Sequence, residues 1–182
     1  MMRIILLFSV IMLCCLTVKG QWPDYRLSVG GGVVYGSLPD KVGVGINASG
    51  YYNFTTKMRL NPNFSYYVPY RKHKSNPDLN ITQYYWELNC DFHYVVQIRN
   101  TQYYVYPLIG IVLVGDREKK EYMDDNLKIH NSHELRLFEG INIGVGGQFK
   151  VNDRMVLFAD LKQSVNVDFN TAVRIGLLFG IK

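Results

Sequence analysis

The sequence predicts an all-β protein, an eight-stranded antiparallel up-and-down transmembrane β-barrel, on three observations. Eight successive segments each have an apolar parity, and in all but the fifth the other parity is glycine, small polar or charged, which is the pattern of strands that face lipid on one side. The links between the segments differ in length in a regular way. A secretory signal precedes them, and no later segment is both as long and as apolar as the roughly 20 residues a spanning helix needs.

The signal is read over residues 1–20: a charged start at Arg3, an apolar run from Ile4 to Leu16, and the small residue Gly20 before Gln21. It is expected to be cleaved and takes no part in the fold. Cys14 and Cys15 lie within it, with Leu13 ahead of them where a lipoprotein site wants a small residue, so lipidation is not expected. Cys90 is then the sole remaining cysteine and no intrachain disulfide can form. The mature part, 21–182, has room for one domain. Of the formal charge of +5, Arg3 and Lys19 leave with the signal. The remaining bases are spread among acids, which leaves no nucleic-acid footprint.

The faces follow from the period of two along a strand. Segment one sets Tyr25, Leu27, Val29, Val33 and Tyr35 against Arg26, Ser28, Gly30, Gly32 and Gly36. Segment two sets Val42, Val44, Ile46, Ala48, Tyr52 and Phe54 against Gly43, Gly45, Asn47, Ser49 and Asn53. Segment three sets Met58, Leu60, Pro62, Phe64, Tyr66, Val68 and Tyr70 against Arg59, Asn61, Asn63, Ser65 and Tyr67. Segment four is the clearest: Tyr84, Trp86, Leu88, Cys90, Phe92 and Tyr94 alternate with Gln83, Tyr85, Glu87, Asn89, Asp91 and His93. A slip of one residue there would turn two carboxylates and a histidine toward lipid.

Segment five, from Tyr103 to Gly115, is apolar on both parities. Placing Gly110 on the polar wall, where glycine lies elsewhere, turns Val105, Ile109, Ile111 and Leu113 outward. Segment six sets Ile141, Ile143, Val145 and Phe149 against Asn142, Gly144, Gly146 and Gln148, with Glu139 on the apolar parity, either above the lipid or beyond a bulge. Segment seven sets Met155, Leu157, Ala159 and Leu161 against Phe158, Asp160, Lys162 and Ser164. Segment eight sets Val173, Ile175, Leu177, Phe179 and Ile181 against Arg174, Gly176 and Gly180.

An even strand count allows antiparallel closure, which removes the unpaired edges that lipid cannot satisfy. The links around Thr55 to Lys57, Gln97 to Gln102 and Lys150 to Arg154 are short, whereas Arg71 to Asn80 and Asp116 to Glu134 read as long, charged loops. Short periplasmic turns and longer outer loops are the usual asymmetry. Tyr25, Tyr35, Tyr52, Tyr66, Tyr70, Tyr84, Tyr94 and Tyr103 fall near strand ends, where an apolar ring with a polar tip suits a membrane interface.

The wall pattern joins Val105-Tyr106-Pro107-Leu108-Ile109-Gly110, Val156-Leu157-Phe158-Ala159-Asp160-Leu161-Lys162 after an Asn152-Asp153 turn, and the closing Arg174-Ile175-Gly176-Leu177. Together these resemble the small outer-membrane β-barrel family of the OmpA membrane domain, OmpX and opacity-like proteins. The resemblance implies export to the outer membrane of a Gram-negative bacterium, insertion by the barrel assembly machinery, a monomer, and contacts with outer-membrane lipid and lipopolysaccharide. It also implies an aromatic last residue, where this chain has Phe179-Gly180-Ile181-Lys182. A peptidoglycan-binding domain can follow such a barrel, and none is expected here.

The inward set holds Arg26, Arg59, Glu87, Asp91, His93, Asp160, Lys162 and Arg174. An eight-stranded barrel is just wide enough to be filled by its own side chains, so these are expected to form a structural polar network of paired charges. The functional alternative is a narrow ion path sensitive to Glu87→Gln. Glu87, Asp91 and His93 are too far apart along one strand to share a metal ion, and neither a metal nor any other cofactor is expected.

The sequons at Asn47, Asn53 and Asn63 fall inside strands and read as chance, and a fourth lies at Asn80. Arg71, Lys72 and Lys74, around His73, are candidates for surface contact with lipopolysaccharide phosphates. No catalytic residue is expected. The one stretch with catalytic residue types, His130-Asn131-Ser132-His133-Glu134, resembles the His-x-Ser motif of lipid A deacylase barrels in spacing but sits at a loop end. The expected role is therefore structural or surface-interacting, in adhesion or envelope contact, with specificity in the outer loops and the partner unidentified. The alternatives are a lipid A-modifying barrel enzyme and a soluble lipocalin-like periplasmic ligand carrier. The carrier would show the opposite polarity, apolar inside and polar outside.

Overall fold

A computed structural model describes residues 27–37, 42–72, 79–99, 101–123, 129–165 and 170–181. Residues 1–20, read from the sequence as a signal, lie outside the described residues, as do Tyr25, Arg26 and Lys74 and the side chain of Lys72. The strands are β1 (Leu27–Ser37), β2 (Val42–Asn53), β3 (Met58–Tyr67, continued by Tyr70–Lys72), β4 (Leu79–Tyr94, continued by Val96–Gln97), β5 (Tyr103–Met123), β6 (Ile129–Lys150), β7 (Met155–Val165) and β8 (Asn170–Ile181). Each pairs antiparallel with its neighbours in sequence, and β8 returns to β1 from Leu27↔Ile181 to Gly36↔Ala172. The eight-stranded sheet is therefore closed, and no helix occurs among the described residues.

The two walls are those the alternation predicts. Val33, Ile46 and Ile175 are 55%, 69% and 54% exposed on the outside, while Asn47, Glu87, Asp91, Lys162 and Arg174 are buried within. Segment five follows the assignment made from Gly110: Val105, Ile109 and Ile111 point out, and Tyr106, Leu108, Val112 and Val114 point in. Cys90 is a half-buried thiol on the outer parity, in no disulfide.

Two prolines shape the ladders because they have no N–H to donate. The β3–β4 register runs from Met58↔Tyr94 to Tyr66↔Trp86, then resumes at Tyr70↔Gln83, one residue out of step. Val68-Pro69 is thus a β-bulge that exchanges the faces beyond it. As a result Tyr70 is buried in the interior rather than outward at the membrane interface, which corrects the sequence expectation. The β4–β5 ladder is interrupted after His93↔Leu108 and resumes at Val96↔Val105, with Pro107 at the gap.

At one end the turns are tight, closed by Phe54 N–H to Met58 O, Ile98 N–H to Tyr103 O and Val151 N–H to Met155 O. At the other end β5 and β6 continue their pairing from Leu113↔Glu139 to Met123↔Ile129. Most of the expected loop from Asp116 to Glu134 is therefore a two-stranded ribbon. Glu139 lies in this unbroken ladder, with no bulge beside it. It stands two residues beyond Ile141, whose partner Val165 is the last residue of β7, so it rises past the edge of the β6–β7 pairing.

Candidate functional site

The inward side chains form three layers along the barrel. At the ribbon end Val34, Tyr67, Tyr70, Tyr85, Val112, Val114 and Ala172 pack into an apolar plug, with Phe138 against it. Tyr67 and Tyr85 meet edge to face at 5.4 Å, a favoured aromatic geometry.

The middle layer carries the charge. Lys162 Nζ donates to Glu87 Oε2 at 3.0 Å and to Asn89 Oδ1 at 2.7 Å. Glu87 also accepts from the Tyr67 hydroxyl at 3.0 Å and the Asn170 amide at 2.6 Å. Arg174 Nη2 lies 2.7 Å from Asp160 Oδ2 and 3.5 Å from Asp91 Oδ2. Asp91 accepts from Asn63 at 3.0 Å and from Asn142 at 2.8 Å, and Asp160 accepts from the Tyr106 hydroxyl.

The third layer, at the tight-turn end, is aromatic and cationic. Arg59 donates Nε to His93 Nδ1 at 3.0 Å and Nη1 to Gln148 Oε1 at 2.7 Å. Its guanidinium carbon lies 4.7 Å from the Tyr51 ring centroid and 4.4 Å from that of Tyr106, within cation–π range of both. His93 stacks on Tyr106 at 4.5 Å, and Tyr51, Phe158 and Leu178 fill the remaining wall.

Arg59, Glu87, Asp91, His93, Asp160, Lys162 and Arg174 are thus brought together inside the barrel, and Arg26 lies outside the described residues. The aromatic partners Tyr51 and Tyr106 escaped the sequence reading. Extending the parity from Asn53 to Tyr51, and from Gly110 to Tyr106, places both rings inside. Gly146 is what lets one of them fit, since a Cβ there would collide with both Asp160 Oδ1 and the Tyr106 ring. Gly146→Val is expected to lower stability by about 1–3 kcal/mol through overpacking, read as a lower urea midpoint for barrels folded in vesicles.

The His130 stretch is not at a loop end, as the sequence suggested, but within the β5–β6 ribbon: His130 lies opposite Tyr122, and Ser132 opposite Lys120. The side chains of His130, Asn131 and His133 lie outside the described residues. Glu134 is held by Arg136 Nε at 2.9 Å, with Lys120 Nζ at 3.6 Å. The Arg136 hydrogen bond and charge keep the Glu134 carboxyl below the usual glutamate range, and Glu134 in turn raises Arg136. Arg71 is exposed within the Tyr70–Lys72 strand extension, opposite Thr82.

No family model matches the chain, and no curated protein matches it in sequence. Solved structures do match. Ail, the attachment invasion locus protein of Yersinia pestis, superposes with a TM-score of 0.58 at 15% identity, over 87% of this chain and 99% of Ail. Neisserial surface protein A gives 0.52 at 15% identity, over 88% of this chain and 100% of that protein. The fold is that of the small outer-membrane barrels. OprG of Pseudomonas aeruginosa is a further outer-membrane barrel of similar shape, with a TM-score of 0.55 at 11% identity over 87% of this chain and 96% of OprG. At such identities the likeness is one of fold alone.

Proposed function

We propose that the protein is a bacterial outer-membrane barrel, exported through a cleaved signal peptide, with a structural or surface-contact role carried by the end that bears the β5–β6 ribbon. The observation that supports this is the polarity of the wall. Large aliphatic and aromatic side chains stand exposed over the outer face of the closed sheet while the charges are buried. An apolar surface so extensive is costly in water and favourable in lipid. The lipocalin-like carrier would require the reverse arrangement.

In this reading the protein is a monomer without enzymatic activity. Lipid and lipopolysaccharide are its nearest partners, and the barrel assembly machinery inserts it. Arg71, with Lys72 and Lys74 beside it in sequence, supplies cations for lipopolysaccharide phosphates. The partner in adhesion or envelope contact meets the ribbon, where Lys120, Glu134 and Arg136 are accessible.

The test is fractionation of a Gram-negative host expressing the full chain, followed by electrophoresis with and without boiling. The expected result is outer-membrane material that migrates faster unboiled, because a closed barrel stays folded in detergent until heated. Recovery of the chain in the soluble periplasmic fraction would overturn the reading. Unchanged lipid A acylation on mass spectra of the same cells is the expected result for a barrel that is not a deacylase.

A further inference from the structure

The tight-turn end of the barrel holds a cavity of about 570 Å³, open toward the turns and floored by the Arg59 layer. That volume lies within the range of small-molecule sites. Its walls combine apolar side chains, among them Val95, Val156 and Leu178, with cations at the floor and rim.

Three hydrogen-bond donors that line it belong to side chains more than nine-tenths buried and have no partner among the described residues: Arg59 Nη2, Gln148 Nε2 and the Tyr51 hydroxyl. The orientation of the amide follows from chemistry. A guanidinium can only donate, so Gln148 must present its oxygen to Arg59, and its NH₂ is left as a second free donor. Tyr51 and Tyr106 clamp the guanidinium from their ring faces, which fixes it without using its remaining N–H groups. Buried donors left unmet in this way carry a desolvation cost that an acceptor would relieve.

The charge around the mouth favours an anionic acceptor. Lys57 and Arg154 are exposed in the turns that frame the cavity, and Lys150 is bridged to Asp153 at 3.0 Å, leaving Lys57, Arg59 and Arg154 as its surplus of positive charge. We propose that this cavity is a binding site for a small organic oxyanion, a carboxylate or phosphate monoester, whose head meets Arg59 and Gln148 and whose apolar body lies against Val95, Val156 and Leu178. The outer-membrane reading adds only that this mouth faces the periplasm. The chemistry of the site is independent of it.

The experiment uses the isotope-labelled full-length barrel, signal removed, folded in non-ionic detergent micelles. Phenyl phosphate, benzoate, benzyl alcohol and inorganic phosphate are titrated while amide and side-chain NH₂ resonances are followed. The expected result is saturable movement of the Gln148 NH₂ and of residues 57–59 and 150–154 with phenyl phosphate or benzoate, the tighter of the two identifying the head group.

Gln148→Met, which keeps the side-chain length but removes both the free donor and the oxygen that accepts from Arg59 Nη1, is expected to weaken binding about tenfold through the lost hydrogen bond to a charged group. Lys57→Gln and Arg154→Gln lie on exposed turns where folding is not at stake, and each is expected to weaken binding about threefold at low salt. Equal movement with benzyl alcohol would overturn the proposal, since it would show an apolar crevice indifferent to charge. Equal affinity for inorganic phosphate would overturn it in favour of a free-phosphate site, and spectra unmoved by either organic anion would overturn it outright.

Discussion

Arg174→Met is expected to destabilise the folded barrel by about 3–5 kcal/mol, the usual cost of leaving a buried charge without its partner. Arg174 is fully buried, and its Nη2 stands between Asp160 and Asp91. Removing the guanidinium leaves two carboxylates in the same wall. Their remaining donors, Tyr106 on Asp160 and Asn63 and Asn142 on Asp91, are all uncharged. Hydrogen bonds from neutral groups do not offset the repulsion between two anions out of water. The measurement is equilibrium urea unfolding in lipid vesicles, followed by tryptophan fluorescence and by the gel shift of the folded form. Because the penalty lies in the orphaned charges, Arg174→Met combined with Asp160→Asn and Asp91→Asn should recover most of the loss. A single-variant cost below about 1 kcal/mol would mean that water screens this layer and that the interior is wetter than its burial implies.

The residues of this layer were legible in the sequence and their partnerships were not. Alternation alone sends Glu87, Asp91, Asp160, Lys162 and Arg174 inward, because every strand has one wall that lipid must accept. Which charge meets which depends on closure and register: Glu87 and Lys162 are 75 residues apart, and Arg59 and Gln148 are 89. No local pattern encodes such distances. The period of two fails where the backbone leaves the regular ladder, at the Val68-Pro69 bulge that turns Tyr70 inward. Proline is the visible sign there, and reading through it carried the parity one residue too far. The ribbon was missed for a different reason. Beyond the membrane neither face must be apolar, so Asp116 to Glu134 carries charge on both parities and loses the signature of a strand although it is paired throughout its described part.

One residue along β8 the requirement reverses. Ile175 points outward, more than half exposed, between Val33 of β1 and Ala159 of β7 in the ladder. It lies in the middle part of an outward row running from Thr171 to Ile181, with two outward residues before it and three after. Ile175→Arg is expected to cost about 2–4 kcal/mol in a bilayer, the range for a cation near the midplane of a barrel wall. The same change on a water-facing strand would lie within about ±0.5 kcal/mol. The comparison that isolates the membrane is Thr171→Arg. That position is already polar, with its hydroxyl bonded to Gln163, and it marks the ribbon-side border of the apolar wall, where a charge near the interface costs about 0–1 kcal/mol. Urea unfolding of both variants in vesicles, against the unaltered barrel, gives the two costs. A large penalty at Ile175 with a small one at Thr171 places the hydrocarbon layer on this wall. Equal and small penalties would mean that the outer face of β8 meets water, and the outer-membrane assignment would fall with it. Arg174 and Ile175 then make the same point from opposite sides of one peptide bond: the barrel cannot lose the cation inside, and cannot bear one outside.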